Sequence, residues 1–175
     1  INLVSEDELE GFERDGGMCG SRLKYEVYFV IRFNKKAQNY GVYEDGVVLD
    51  SSSVTGENVG AFYSFDFKDD KELMAKVGIS YVSIEQARKN MEAEIPEFTF
   101  DEIKNAAKKE WEKQLGIIDV KGGTDDEKTI FYTALYHSLL LPYTSNDVDG
   151  QYRSFVSNYS RILPFTERAK TYGAS

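Results

Sequence analysis

Apolar residues along this chain change their spacing once, near Ser83, and that change divides the chain. Before it they recur at every second residue; after it they recur at helical spacing. The clearest run is Leu23–Phe33. Leu23, Tyr25, Val27, Phe29, Ile31 and Phe33 fall on one side, and Lys24, Glu26, Tyr28, Val30 and Arg32 on the other. The first set is expected against a core and the mixed second set on a partly covered outer face. Asp45-Gly46 suits a tight hairpin between Tyr40–Glu44 and Val47–Leu49. Ala61–Phe67 and the alternating Leu73, Ala75, Val77, Ile79 and Tyr81 supply further strands. No helix long enough for a crossover separates these runs, so the expected arrangement is an antiparallel sheet or sandwich.

After Ser83 the spacing predicts helices over 84–94, 99–115 and 125–141. Each begins with a capping-box pair: Ser83 with Gln86, Thr99 with Glu102, and Thr124 with Glu127. Pro96 stops the first helix. Ile103, Ala106, Ala107, Trp111 and Leu115 form one stripe on the second, where Trp111 reads as a core or inter-domain anchor, with stacking on a sugar or base as the other reading. The third is apolar around most of its circumference, with Phe131, Tyr132, Leu135, Tyr136 and Leu139. Such a helix needs neighbours on several sides. The expected class is therefore α+β, with a sheet unit joined to the beginning of a larger helical unit.

Composition excludes several chemistries. Thirty acidic residues against 21 basic ones give a net charge of −9, which argues against an extended phosphate-binding face and hence a nucleic-acid partner. One Cys excludes an internal disulfide framework, and one His excludes any site built on two histidines. No apolar run reaches the roughly 18 residues of a membrane span. No basic and apolar signal segment follows Ile1, which bears little on secretion because Ile1 is not an initiator Met.

Candidate site residues fall in three places. Gly16, Gly17 and Gly20 surround Met18 and Cys19 in a loop that lacks the Gly-Lys-Ser/Thr ending of a phosphate loop. It reads either as a sheet-edge loop or as part of a ligand pocket. His137 lies within the third helix, with a hydrogen-bonding role and a ligand role both open, and it makes no zinc site with Cys19 alone. Asp147 and Asp149 before Gly150 match part of a calcium loop without its remaining ligands, so an acidic turn and a sugar-hydroxyl site both fit. No catalytic carboxylate pair can be named from spacing.

Val77–Ala87 (VGISYVSIEQA), Gly122–Leu140 (GGTDDEKTIFYTALYHSLL) and Asp147–Arg153 (DVDGQYR) together resemble the bacterial family 92 glycoside hydrolases. Gly16–Cys19 and Tyr25–Phe33 resemble the N-terminal domain of that family, and the likeness spans about residues 11–153. The resemblance implies an antiparallel β-sandwich portion over 1–82, a helical linker over 83–123 and the start of an (α/α)6 catalytic barrel over 124–175. It implies calcium-dependent, inverting hydrolysis of α-mannosides in glycans by the complete enzyme. It also implies a bacterial periplasmic, cell-surface or secreted location, and a role in carbohydrate metabolism.

In that family the acid/base carboxylates and most calcium ligands lie in motifs beyond this chain. The partner of this chain is then the missing catalytic remainder or another chain, and the chain alone is expected to be inactive. Gly17, Met18 and Cys19 match a segment of the sugar pocket, with Met18 where an aromatic residue is expected. His137, Asp147, Asp149 and Arg153 match positions near the entry to the helical domain, without assigned roles. Ser154–Ser175 departs from the expected continuation, which carries a Trp-Asp-Thr motif. A non-catalytic glycan-binding or protein-interaction domain is the alternative, and a structural remnant without a ligand is the third reading.

Overall fold

In a computed structural model, residues 1–16, 24–67, 72–141, 144–153 and 162–163 are described. Strands β1 (Asn2–Ser5), β2 (Glu8–Gly16), β3 (Lys24–Phe33), β4 (Asn39–Glu44), β5 (Val47–Leu49), β6 (Val59–Ser64) and β7 (Ala75–Ser80) precede helix α1 (Ile84–Glu94). Helices α2 (Phe100–Leu115) and α3 (Asp125–Leu139) follow, then the short strands β8 (Tyr152–Arg153) and β9 (Ile162–Leu163). Every pairing is antiparallel, in sheets of order β1-β2-β3-β7, β5-β4-β6 and β8-β9. The chain divides into two compact units, Ile1–Phe98 with Ser145–Ser175, and Thr99–Thr144.

The α+β class and the antiparallel sheets are as expected. Asp45 and Gly46 take φ of 49° and 78°, the positive torsions that a two-residue hairpin turn needs between β4 and β5. The face assignment of β3 is corrected. Its one fully buried residue is Val30, from the set expected outside, and Val30 packs with Ala87 and Met91 of α1. Tyr28 and Ile84 flank that cluster.

β7 forms as a strand, and it too turns its even-numbered face to the core. Lys76, Gly78 and Ser80 are buried, whereas Val77 and Ile79 remain 49% and 56% exposed. The cause is the helix, which lies on the even-numbered face. A Cβ on Gly78 would sit 2.2 Å from the Ala87 carbonyl oxygen and 2.6 Å from the Met91 Cβ. Only a glycine permits so close an approach of helix to strand. The odd-numbered face is covered at one end, where the Phe33 ring lies 5.2 Å from Tyr63 and 5.0 Å from Phe65. The Tyr63 hydroxyl donates to the carbonyls of Ser5 and Glu8, tying the second sheet to the first.

Ion pairs complete the packing of α1. The buried Glu8 carboxylate receives both Arg32 and Arg88, and Arg88 also reaches Glu10 at 2.7 Å. At the other end of α1, the buried Lys76 amine donates to the carbonyls of Ile95 (3.0 Å) and Pro96 (2.7 Å). It thereby answers carbonyls left without helical partners where Pro96 stops the helix. The Phe98 ring lies 4.9 Å from the same amine.

The three expected capping boxes form to different degrees. Thr124 and Glu127 make the full reciprocal box. Ser83 accepts from the Gln86 backbone N–H, but the Gln86 side chain turns elsewhere. Thr99 makes no side-chain cap bond. In the second unit the Trp111 ring lies 4.6 Å from Tyr136, joining α2 to α3, yet neither helix contains a buried residue.

Candidate functional site

The turn over 147–151 is built by its own sequence. Gly150 takes φ of 84°, its N–H donates to the Asp147 carbonyl, and the Asp147 N–H donates to the Gln151 carbonyl. The carboxylates then fasten this turn to the sheet unit. Asp147 is 4% exposed, and its two oxygens accept from Ser80 Oγ at 2.8 Å and Asn90 Nδ2 at 2.7 Å. Asn90 returns a bond by accepting from the Val148 N–H. Asp149 accepts from Gln86 Nε2 at 2.8 Å, with Lys89 Nζ at 3.4 Å. The Gln86 amide holds the Asp149 carboxyl below the usual range, aided by the backbone and side chain of Gln151.

Arg153 follows and is buried. Its guanidinium donates to the Lys24 carbonyl at 3.1 Å. Lys24 pairs with Gly16 at the root of the β2–β3 hairpin. Beside that root, Tyr28 donates to Glu26 at 2.5 Å and Arg14 donates to it at 2.8 Å. These two bonds, with the Arg14 charge and more distantly that of Arg153, hold Glu26 below the usual carboxylate range. Burial, then the Glu26 contact, pushes the Tyr28 phenol up. The cluster can orient polar groups. An ionised Glu26 already taken up by two donors is a poor proton donor at neutral pH.

The structure therefore places Asp147 and Asp149 on one turn and Arg153 on the strand β8 that follows it. His137 is exposed on α3 in the other unit, with the Tyr136 ring 5.6 Å away. Gly17, Met18 and Cys19 lie outside the described residues. Among the described residues, no three His, Cys, Asp or Glu side chains gather to hold a metal ion. The Asp147 and Asp149 oxygens are engaged by protein donors, so this turn does not fit calcium. A surface depression of about 610 Å³ on the helical unit is lined by Leu115, Asp125, Lys128, Tyr132 and Tyr136, and contains none of the candidates.

The Glu8, Arg32 and Arg88 network and the partners Ser80, Asn90 and Gln86 escape sequence reasoning, since they join residues 24 to 80 positions apart. One signal was present: an alternating strand whose inward positions read Lys, Gly and Ser implies a helix seated on the glycine.

Comparison with known proteins agrees along the chain. Residues 1–80 match the glycosyl hydrolase family 92 N-terminal domain, and residues 86–173 match the family's catalytic domain. A family GH92 alpha-mannosidase from Bacteroides thetaiotaomicron superposes with a TM-score of 0.75 at 28% identity, over 92% of this chain and 23% of that one. A family GH92 inverting mannosidase from the same organism gives 0.78 at 26% identity, over 90% of this chain and 22% of that one. An uncharacterized secreted glycosidase of Arthroderma benhamiae is 36% identical over 72 residues, 39% of this chain and 9% of that protein. The chain thus spans less than a quarter of the length of these relatives. With a β-sandwich portion leading into the first helices of an (α/α)6 architecture, it belongs to glycosyl hydrolase family 92.

Proposed function

We propose that this chain is the sheet-bearing portion of a glycoside hydrolase that removes α-mannosyl units from glycans with inversion, outside the cell. The observation that carries this reading is the match of the two halves to the two domains of one hydrolase family, with mannosidases as solved relatives. One of those relatives was solved with mannoimidazole bound, which supports a mannoside as ligand. The extracellular location rests on the secreted relative. In the complete enzyme, calcium would be held by residues other than the Asp147–Arg153 turn.

The 175-residue chain alone does not turn over substrate. Inverting hydrolysis needs an acid and a base about 6.5–9.5 Å apart across the scissile bond. Here the candidate carboxylates Asp147 and Asp149 instead serve as acceptors for Ser80, Asn90 and Gln86. The test is to incubate the chain with short α-mannosides, with and without calcium, and to measure methyl α-mannoside binding by calorimetry. The expected result is no multiple turnover. Turnover that scales with chain concentration and vanishes on one carboxylate substitution would contradict the reading. Sugar binding without turnover would favour a glycan-binding role for the isolated chain.

A further inference from the structure

We propose that the Asn146–Arg153 segment is a positioning strap: Asp147 and Asp149 fasten it, and Arg153 thereby holds the root of the β2–β3 hairpin. Three observations converge on this role. The segment belongs to the sheet unit although it follows the second unit, Thr99–Thr144, in sequence. It makes two separate side-chain attachments, Asp147 to β7 and α1 through Ser80 and Asn90, and Asp149 to α1 through Gln86 and Lys89. Its far end, Arg153, is buried with its guanidinium on the Lys24 carbonyl, 129 residues away in sequence.

The chemistry suits fastening. A buried carboxylate accepting two neutral donors needs both, because losing either leaves a charged, desolvated oxygen without a partner. Ser80 Oγ also accepts from the Val82 N–H, and Asn90 Nδ2 also donates to the Ile79 carbonyl. The same atoms that hold Asp147 therefore also hold the β7–α1 connection. Arg153 spans from the turn to the hairpin with a charged donor that cannot be lost at neutral pH. Asp147, Asp149 and Arg153 are thus positioning residues. Their effect on sugar binding rests on the proposed hydrolase function and on the resemblance of the adjoining Gly17–Cys19 to a sugar-pocket segment of that family.

The test is backbone amide exchange on the 175-residue chain, with methyl α-mannoside affinity measured in parallel. Asp147→Ala, Asp149→Ala and Arg153→Ala should each speed exchange at Lys24, Tyr25 and Glu26 by about tenfold. Ile31–Phe33, at the far end of β3, should be unchanged. The Asp147→Ala/Arg153→Ala double variant should be no faster than Arg153→Ala alone, because both act through one strap. Asp147→Asn should recover most of the protection, since its amide can accept from Asn90 and donate to Ser80 Oγ.

Additive effects, a uniform rise along all of β3, or a turn that opens while Lys24–Glu26 stay protected would each overturn the strap. Asp149→Ala removes an exposed attachment and keeps the test usable if Asp147→Ala fails to fold. The affinity decides the other question. If the unsubstituted 175-residue chain does not bind methyl α-mannoside, a glycan-binding role for the isolated chain fails, and the exchange pattern still decides the strap.

Discussion

The two units of this chain are built from opposite resources. The sheet unit is held by burial: Val30, Ala87 and Met91 close a small core, and Glu8 is paired with two arginines. The helical unit has strong local signals and little burial. It carries a complete capping box at Thr124, side-chain pairs such as Gln114 with Glu110 and Lys113 with Glu110, and the Trp111–Tyr136 contact. No residue of α2 or α3 is buried. Local signals decide where a helix begins, and burial decides how firmly it is held. The two units separate those effects within one chain.

The largest expected difference comes from truncating one side chain in each unit. Met91→Ala should cost about 2–5 kcal/mol in urea unfolding, the usual range for a fully buried methionine. Leu135→Ala, on a helix without buried residues, should cost about 1 kcal/mol or less. Equal costs would erase the contrast. Gly78→Ala should follow, at about 1–3 kcal/mol, because the new methyl meets the Ala87 carbonyl and α1 must shift. A neutral effect in thermal unfolding would show that the helix is not seated as described.

Tyr63 offers a pH test of the sheet-to-sheet tie. Burial pushes its phenol up to about 12, from an ordinary value of 10. A raised folded value means its contribution is complete below pH 10 and is lost as pH rises from 10 towards 12. Absorbance titration at the phenolate band should show one tyrosine ionising last, and Tyr63→Phe should remove that late step. A smaller contrast lies between two threonines. Thr124→Ala should weaken α3 by about 1 kcal/mol, whereas Thr99→Ala should leave α2 unchanged by circular dichroism, because only Thr124 makes the cap bond.

These contrasts also show what sequence could and could not reveal. The Asp45-Gly46 turn and the three helices were legible because each rests on residues a few positions apart. The buried face of β3 was not. Counting apolar residues favoured Leu23–Phe33's odd positions, but α1 chose the other face through Gly78, and no pattern within β3 records that choice. Gln86 illustrates the same limit. Its spacing from Ser83 suits a capping box, yet its amide is spent on Asp149, 63 residues later. Of the candidate site, the acidic turn at Asp147–Gly150 was readable, while its partners Ser80 and Asn90, and the Lys24 carbonyl that accepts from Arg153, became visible only in three dimensions.

The claim that the sheet unit carries its own core and the helical unit does not is tested most directly by amide exchange across the whole chain under native conditions. The amides of β3, β7 and α1 should share the slowest rates. Those of α2 and α3 should exchange at least about a hundredfold faster, as expected of helices whose opening exposes little buried surface. Protection of Phe131–Leu139 equal to that of Val30 and Ile31 would contradict the account.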